Sequence, residues 1–572
     1  LEELVLRGKV LDLSQRGETG AAAELLVKYG KRHSITWAML RELIEGGTEG
    51  AFFHLLESRV LSPELENALL GLKLRADGKL DEAIARISSI SSSDFSLKQF
   101  RTDALRNLYH QQSDHERIAE LLVDFIRSEP KRILIKQAVA ASASSEAANR
   151  EDLFASAISR VFQDIDVITR SDQLFRVYWK EAVEGALSTF DIHLALKIAR
   201  RAENNHLRAR KVLEDTLALK EELAPIMHVV EKAHQDIRAR CGEINSPPPP
   251  ASVLVVFPAA ALRRNKIDYP GFRADIRRCV MNIVRTLEDD GVPFSVKGRI
   301  RTHGILALDA PYFSYHTVAN DRNGLHFKET DRPSLFSFDD RGYAGWSRFA
   351  QTPASDLVLE SVDPQRATSF FEIDRTAIIA SRLSKYNQID TVEKLPDRFL
   401  FVALQVIGDA VQSLAYATPF AMLDEVIETA RLAGLSVVVK RHPACRSPQV
   451  THYLSEHSDE LMVSVGNIHD IIPASEAVCV INSGVGAEAL IYEKPVYIFG
   501  RADYMNACFV CREPGDFRKM YRPGAQRLSS GELRRFWYVY RNDYACDLRD
   551  EDHARTWIAA NVRAHLKRTR SS

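Results

Sequence analysis

LQVIGDAVQ at 404–412, KRHP at 440–443 and INSGVGAEAL at 481–490 decide how this chain is read, because each falls where an apolar β-type run ends. RFLFVALQV at 398–406 is too apolar to be half exposed and reads as a central parallel strand, which delivers Gln405 and then Asp409 to the following loop. A helix over about 418–433 closes on Gly434, and LSVVVK at 435–440 is a second buried strand ending in Lys440, Arg441, His442 and Pro443. The proline stops regular structure directly after the cationic trio. ELMVSVG at 460–466, AVCVIN at 477–482 and PVYIFG at 495–500 add strands, with a short helix around His469. Strands alternating with helices predict an open parallel sheet, whose ligands bind outside the carboxyl edge.

The turn after Asn482 carries most information. Ser483, Gly484, Val485, Gly486, Ala487 and Glu488 pass directly into helix AEALIYEK, so backbone N–H groups at the helix start are expected to face an anion. It is neither a Walker loop nor a GxGxxG fingerprint. A tight turn that needs glycine for its backbone alone is the plainer reading.

Outward from this region, 252–396 opens as another α/β unit. SVLVVFPAA at 252–260 reads as a strand and FRADIRRCVMNIVRTLEDDG at 272–291 as a helix ending in Gly291. The stretch 304–350 is less regular, with two polar and aromatic clusters: Tyr315, His316 and Thr317, then Asp339, Asp340, Arg341, Gly342, Tyr343, Ala344, Gly345 and Trp346. Aromatics beside glycines can offer a stacking face to a sugar, with Asp and Arg holding its hydroxyls or carboxylate. Tyr315, His316, Asp339, Arg341, Tyr343 and Trp346 are therefore acceptor-site candidates, and serve as well as loop anchors.

Upstream, 1–244 is helical: proline is rare and apolar residues recur at three and four spacing, as in ALLGLKLRADGKLDEAIARI at 68–87. The turn Asp77, Gly78, Lys79 resembles that of a tetratricopeptide unit, with echoes at 16–18, 46–47 and 112–114. A degenerate repeat of this kind is either a docking platform or a packing support. GEINSPPPPAS at 242–252 then marks a proline-rich linker over 245–251. The expected domains are thus 1–244, 252–396 and 397–530, followed by C-terminal helices and a basic tail over 531–572.

The whole is 572 residues, 45% hydrophobic, with 76 Lys and Arg against 77 Asp and Glu, a balance that argues against bulk nucleic-acid binding. There is no run of about twenty apolar residues to span a membrane. LEELVLRGKVLDLSQRG at the start has no signal-peptide core and no initiator Met, which reads as a trimmed chain. Seven Cys, an odd number, read as reduced thiols and a cytoplasmic setting. Cys508 and Cys511 form a lone CxxC without a second pair. The tail RAHLKRTRSS offers contact with an anionic membrane surface, or is simply solvated.

Two α/β domains, the second with an anion-directed helix start, fit the two-Rossmann (GT-B) glycosyltransferase architecture. The ordered set Gln405, Asp409, Lys440, His442-Pro443, Ser483, Gly486 and Glu488-Ala489-Leu490 resembles the retaining β-Kdo transferases of bacterial capsule and O-antigen synthesis, of the KpsC, KpsS and WbbB type. The resemblance covers most of 252–510, is best over 398–500, and takes in SYHT and GYAGW. It implies a CMP-Kdo donor, with Lys440 and His442 on the nucleotide and its phosphate, Ser483 sharing that phosphate, and Glu488 supporting the turn or reaching the ribose. It further implies Asp409 as a nucleophile that forms a glycosyl-enzyme adduct, so that two displacements retain configuration. Gln405, Arg441, Pro443, Asn482 and Gly484 complete the expected donor set. Arg441 departs from the motif, either contacting a carboxylate or facing solvent. No cofactor and no metal are expected. The expected partners are a CMP-sugar, a glycan or glycolipid acceptor, and a membrane surface or polysaccharide-assembly protein, with the enzyme at the inner face of the bacterial inner membrane. Rivals are a transferase of another CMP-activated nonulosonic acid, a non-catalytic glycan-binding scaffold, and a UDP-sugar epimerase.

Overall fold

The computed structural model describes residues 55–204, 209–243, 253–263 and 272–570, less 302, 320, 333, 354–355, 358, 383, 387, 390, 392, 408 and 446; before 55 it describes 6, 9–10, 13, 19–31, 33, 35–37 and 40. The linker over 245–251 and the turn echoes at 16–18 and 46–47 lie outside the described residues.

The chain divides into two compact units, Leu1–Phe125 with Arg446–Ser455, and Ile126–Cys445 with Glu456–Ser572. In the first, helices Pro63–Ala76 and Leu80–Ser88 form a hairpin across 77–79. Ser62 caps the earlier helix by accepting from Leu65 N, and Gly78 takes φ 77°, which a side chain would resist. The hairpin is tight: a Cβ on Gly71 would lie 2.4 Å from Ile87 Cγ1. This is a helical pair at the place where the tetratricopeptide-like turn is read.

In the second unit, helices Ile135–Ala147, Glu151–Arg170, Asp172–Ser188, Ile192–Glu203 and Ala209–Leu223 pack in chain order, each on the next. The following helix, Met227–Arg240, lies on the first sheet: Asp236 accepts from Gly298 N at 3.0 Å, and a Cβ on Gly298 would come within 2.8 Å of Ala233 O. Glu146 accepts from Ile300 N and Arg301 N at 2.9 and 2.8 Å and pairs with Arg240 at 2.9 Å. The helices Ile135–Ala147 and Met227–Arg240 are therefore packed against the sheet.

The first sheet is built from β1 (Leu254–Pro258), β2 (Ser295–Arg299), β4 (Tyr312–Tyr315), β6 (Gly324–Glu329), β7 (Leu335–Asp339) and β14 (Ala545–Asp547), in the order β14-β7-β6-β4-β1-β2. A two-residue pair, β3 (Gly304–Ile305) with β5 (Thr317–Val318), stands beside it. β2, β1, β4 and β6 run parallel, while β7 and β14 are antiparallel additions. So 304–350, read from sequence as irregular, holds three of the six strands, β4, β6 and β7. The C-terminal segment also belongs here. β14 supplies the sheet edge, and helix Glu551–Arg570 packs on helix Phe272–Asp289, where Arg563 pairs with Asp290 at 2.7 Å. Helices are present after 531 as expected, and the basic end RAHLKRTRSS, read as a membrane contact or a solvated tail, continues the helix Glu551–Arg570 as far as Arg570.

The second sheet comprises β8 (Phe399–Ala403), β9 (Ser436–Lys440), β10 (Met462–Ser464), β11 (Ala477–Val480), β12 (Val496–Ile498) and β13 (Phe509–Val510), in the order β10-β9-β8-β11-β12-β13 and wholly parallel. Every residue of β8 and β11 is buried, as expected of central strands covered on both faces. Thr418 caps helix Pro419–Ala433, and Gly434 at φ 66° closes it. Because the chain fills β8, β9 and β10 outward on one side and then returns to place β11 on the other, the loops after β8 and β11 part from one another. That crevice is the topological switch point, where open α/β sheets bind ligands.

Candidate active site

Both switch-point loops are pinned to each other. Asn482 N donates to Gln405 Oε1 at 3.3 Å, and Asn482 Nδ2 donates to Val411 O at 2.7 Å. Asn482 Oδ1 is left buried and without a partner among the described residues, an acceptor available to a ligand. Asp409 is exposed and caps the turn Ala410–Leu414 by accepting from Val411 N at 3.4 Å. At the end of β9, His442 Nδ1 accepts from Ala444 N at 3.1 Å, which places the proton of the neutral ring on Nε2, and its ring meets Tyr386 edge-on at 4.6 Å.

These groups line two adjoining cavities of about 70 and 340 Å³ that share Asp331, Lys385, Tyr386, His442, Ser483 and Gly484. The smaller takes in Lys440, Arg441, Pro443 and Glu488; the larger takes in Gln405, Asp409, Asn482 and, from the first sheet, His316, Lys328, Glu329 and Tyr343. The structure thus brings the expected donor residues together with a set that sequence reasoning missed. Lys328 and Lys385 both pair with Glu329 Oε1, Lys385 at 3.2 Å, while Tyr315 donates its hydroxyl to Glu329 Oε2 at 2.9 Å. Burial would raise the Glu329 carboxyl, but the two lysines hold it down at about 2. Lys328 also lies over the Tyr343 ring at 5.5 Å.

Several expectations change in detail. Lys440 Nζ donates to Val465 O at 3.1 Å and to Gly466 O, so its ammonium is tied to the loop after β10, and burial lowers its pKa. The helix after Ser483 is short, Val485–Ile491, and its first donors are used within the turn: Val485 N reaches Ser483 Oγ at 3.4 Å and Gly486 N reaches Ser483 O at 3.0 Å. Two of the N–H groups read from the sequence as facing an anion, those of Val485 and Gly486, are thus engaged within the turn. Gly486 has a steric reason instead, since a Cβ there would lie 2.5 Å from Tyr504 Oη. On the acceptor side, Tyr315, Asp339, Arg341 and Trp346 do not line the cleft, Tyr315 reaching it only through Glu329. Asp339 is consumed by its own loop, accepting from Arg341 N, Gly342 N and Arg348 N, and Arg341 turns outward to Gln351 at 2.7 Å. His316 does line the cleft, half-buried at φ 56°, and desolvation with Lys328 and His303 beside it drives its pKa far below the usual range, which favours the neutral ring. Cys508 and Cys511 are buried free thiols, pushed up by burial.

Two carboxyls in the cleft walls have raised pKa values. Glu488 accepts from Ser384 at 3.0 Å, and burial followed by Asp331 raises it to about 8; burial and Asp331 likewise raise Asp503 to about 7. Both folded values lie above those of an unfolded carboxyl, so the folded state binds the extra protons. Stability from these groups is complete below about pH 4 and is lost as pH rises through about 7 and 8. The midpoint of thermal unfolding is therefore expected to fall between pH 5 and pH 8.5, with Glu488→Gln and Asp503→Asn flattening that slope; calorimetry across this range checks it, and unchanged slopes in both variants would refute it.

Comparison with known proteins places this cleft in context. Residues 372–533, from the helix Pro364–Ser381 to Ser530–Tyr538, match the family described as capsule polysaccharide biosynthesis protein. The matched segment contains Gln405, Asp409, Lys440, His442, Ser483 and Glu488, which agrees with the resemblance read from these motifs, and it also contains Lys385. Among solved structures, the chain is similar to the Thermosulfurimonas dismutans KpsC β-Kdo 2,7 transferase, at 19% identity over 44% of this chain and 85% of that one, with a TM-score of 0.29. It is also similar to the Thermosulfurimonas dismutans KpsC β-Kdo 2,4 transferase, at 15% identity over 48% and 93%, TM-score 0.31. The wall teichoic acid polymerase TagF is similar at 12% identity over 62% and 99%, TM-score 0.21. No curated protein matches. Among the described residues no helix is long and apolar enough to cross a membrane.

Proposed function

We propose that this chain is a GT-B glycosyltransferase that moves Kdo from CMP-β-Kdo to a glycan acceptor in capsule or O-antigen synthesis, with retention and with Asp409 as nucleophile. One observation carries the reading: an exposed carboxylate, Asp409, stands at a topological switch point in a cleft whose far wall presents two lysines. The match of 372–533 to a capsule polysaccharide family supports it. In the first step an Asp409 oxygen bonds to the anomeric carbon as the carbon–oxygen bond to the phosphate breaks, and CMP departs with the electron pair. In the second an acceptor hydroxyl oxygen bonds to that carbon as the ester bond to Asp409 breaks, regenerating the carboxylate, and the hydroxyl proton passes to solvent, so inversion occurs twice. His442 Nε2–H and the Ser483 hydroxyl would hold the departing phosphate, and the Asn482 amide would accept from a donor hydroxyl. The reading assigns no resident metal or cofactor, and places the enzyme at the cytoplasmic face of the inner membrane with a CMP-sugar and a glycan or glycolipid as its partners.

The test is intact-protein mass spectrometry and CMP release with CMP-Kdo generated in situ, alongside CMP-sialic acid and UDP-sugars. One added Kdo with CMP release is the expected result. Turnover of CMP-sialic acid alone would replace the donor, and turnover of none would return the chain to a glycan-binding scaffold.

A further inference from the structure

Charge balance in the larger cavity points to a role for residues outside the motifs. Lys328 sits on β6 and Lys385 follows the helix Pro364–Ser381, so one ammonium comes from each side of the cleft. Their side chains are 13% and 25% exposed, and Glu329, which pairs with both, is 4% exposed. An ammonium has three N–H donors. Among the described residues Lys328 uses one on Glu329, and Lys385 uses others on Glu329 and on Thr330 O at 3.4 Å, so each keeps donor capacity toward the cavity it lines.

The remaining acids that face this cavity are accounted for. Asp331 pairs with Arg541 at 2.6 Å, and Asp503 accepts from Tyr540 Oη at 3.4 Å beside it. Two ammonium groups therefore face two carboxylates, Glu329 and Asp409. Forming an ester on Asp409 removes one of those negative charges and leaves a partly buried cation uncompensated, which is costly where water is scarce. A sugar that carries a carboxylate on the very carbon attacked by Asp409 restores the balance in the same step. A neutral sugar does not.

We propose that Lys328 and Lys385 form the subsite for the carboxylate of the donor sugar, and so select 2-keto-3-deoxy acid sugars over neutral ones. The inference rests on the transferase reading given above and adds its specificity determinant. Lys385→Met carries the test because it leaves the Lys328–Glu329 pair in place. CMP release from CMP-Kdo generated in situ and CMP binding by calorimetry are measured for the wild type, Lys385→Met, Lys385→Arg and Glu329→Gln.

Lys385→Met is expected to raise the KM for CMP-Kdo about 10- to 100-fold, the span of a charge-assisted hydrogen bond, while the dissociation constant of CMP stays within about twofold. Lys385→Arg, which keeps the charge, is expected to recover most of that loss. Glu329→Gln removes the competing anion and is expected to lower KM about threefold, by the reverse of the same electrostatics. A lysine whose task is only to hold Glu329 predicts the opposite for Glu329→Gln: a rise in KM like that of Lys385→Met. That result, an unchanged KM in Lys385→Met, or equal losses for CMP and CMP-Kdo would overturn the subsite. A wild type that binds CMP yet releases none from CMP-Kdo would instead overturn the transferase reading, and the subsite with it.

Discussion

Asp409→Ala is expected to lower CMP release and Kdo transfer by about a thousandfold or more and to abolish the covalent adduct, because it removes the one atom pair that would bond to the sugar. A bystander role predicts something much smaller. The carboxylate also caps the turn Ala410–Leu414, through a long 3.4 Å contact to Val411 N. Losing a cap costs about 1 kcal/mol, felt as a slightly lower unfolding midpoint, whereas a thousandfold rate loss corresponds to about 4 kcal/mol of transition-state stabilisation. The two effects are separable by magnitude and by variant. Asp409→Asn keeps a capping oxygen but is a poor nucleophile, so it should match the alanine variant in activity and the wild type in stability. Activity within tenfold of wild type in both variants would remove Asp409 from the chemistry, and intact-mass spectra after exposure to CMP-Kdo would show it directly.

Why Asp409 was legible in the sequence while Lys328 was not has a physical reason. A strand buried on both faces, such as β8, must be apolar throughout, so RFLFVALQV announces itself, and its switch-point loop begins where polarity returns. Gln405, Asp409, Asn482 and Ser483 all follow such runs. Lys328 and Glu329 instead lie on a strand that is buried by pairing charge with charge, and HFKETDR looks in sequence like a surface segment. The available signal was GLHF directly before it, an apolar and aromatic lead that makes little sense on a solvent face. Asp339 and Arg341 were overvalued for the converse reason. An Asp two and three residues before backbone N–H groups that need acceptors is turn chemistry, and it spends its oxygens on Arg341 N and Gly342 N rather than on a sugar.

Arg541→Met is expected to destabilise the second unit by roughly 3–5 kcal/mol, the cost of breaking a buried ion pair from one side. Arg541 follows the helix Ser530–Tyr538 and is 3% exposed. Its Nη1 donates to both oxygens of Asp331, at 2.6 and 2.7 Å, and its guanidinium lies 5.0 Å from the Trp537 ring. Asp374, on the helix Pro364–Ser381, joins the same cluster through Arg332 at 2.6 Å and Trp537 Nε1 at 2.8 Å. Three segments far apart in sequence are therefore locked by charges that have no water to fall back on. Lysine is not expected to rescue, because one ammonium cannot serve Asp331 and Asp374 from two nitrogens, as Nη1 and Nε do, nor lay a guanidinium over Trp537. The companion change Asp331→Asn should recover a large share of the loss, since it removes the stranded carboxylate that causes it. Denaturant unfolding of the single and double variants checks this, and a single-variant loss under about 1 kcal/mol would mean that solvent already reaches the pair. The consequence extends to the cleft. A Cβ on Gly484 would stand 3.4 Å from Asp331 Cα, so the backbone that Arg541 anchors is also the surface against which the Ser483 turn is set. A destabilised Arg541 variant should accordingly bind CMP more weakly even below its unfolding transition, whereas Lys385→Met should not, and that contrast separates the residues that shape the donor turn from those that read the sugar.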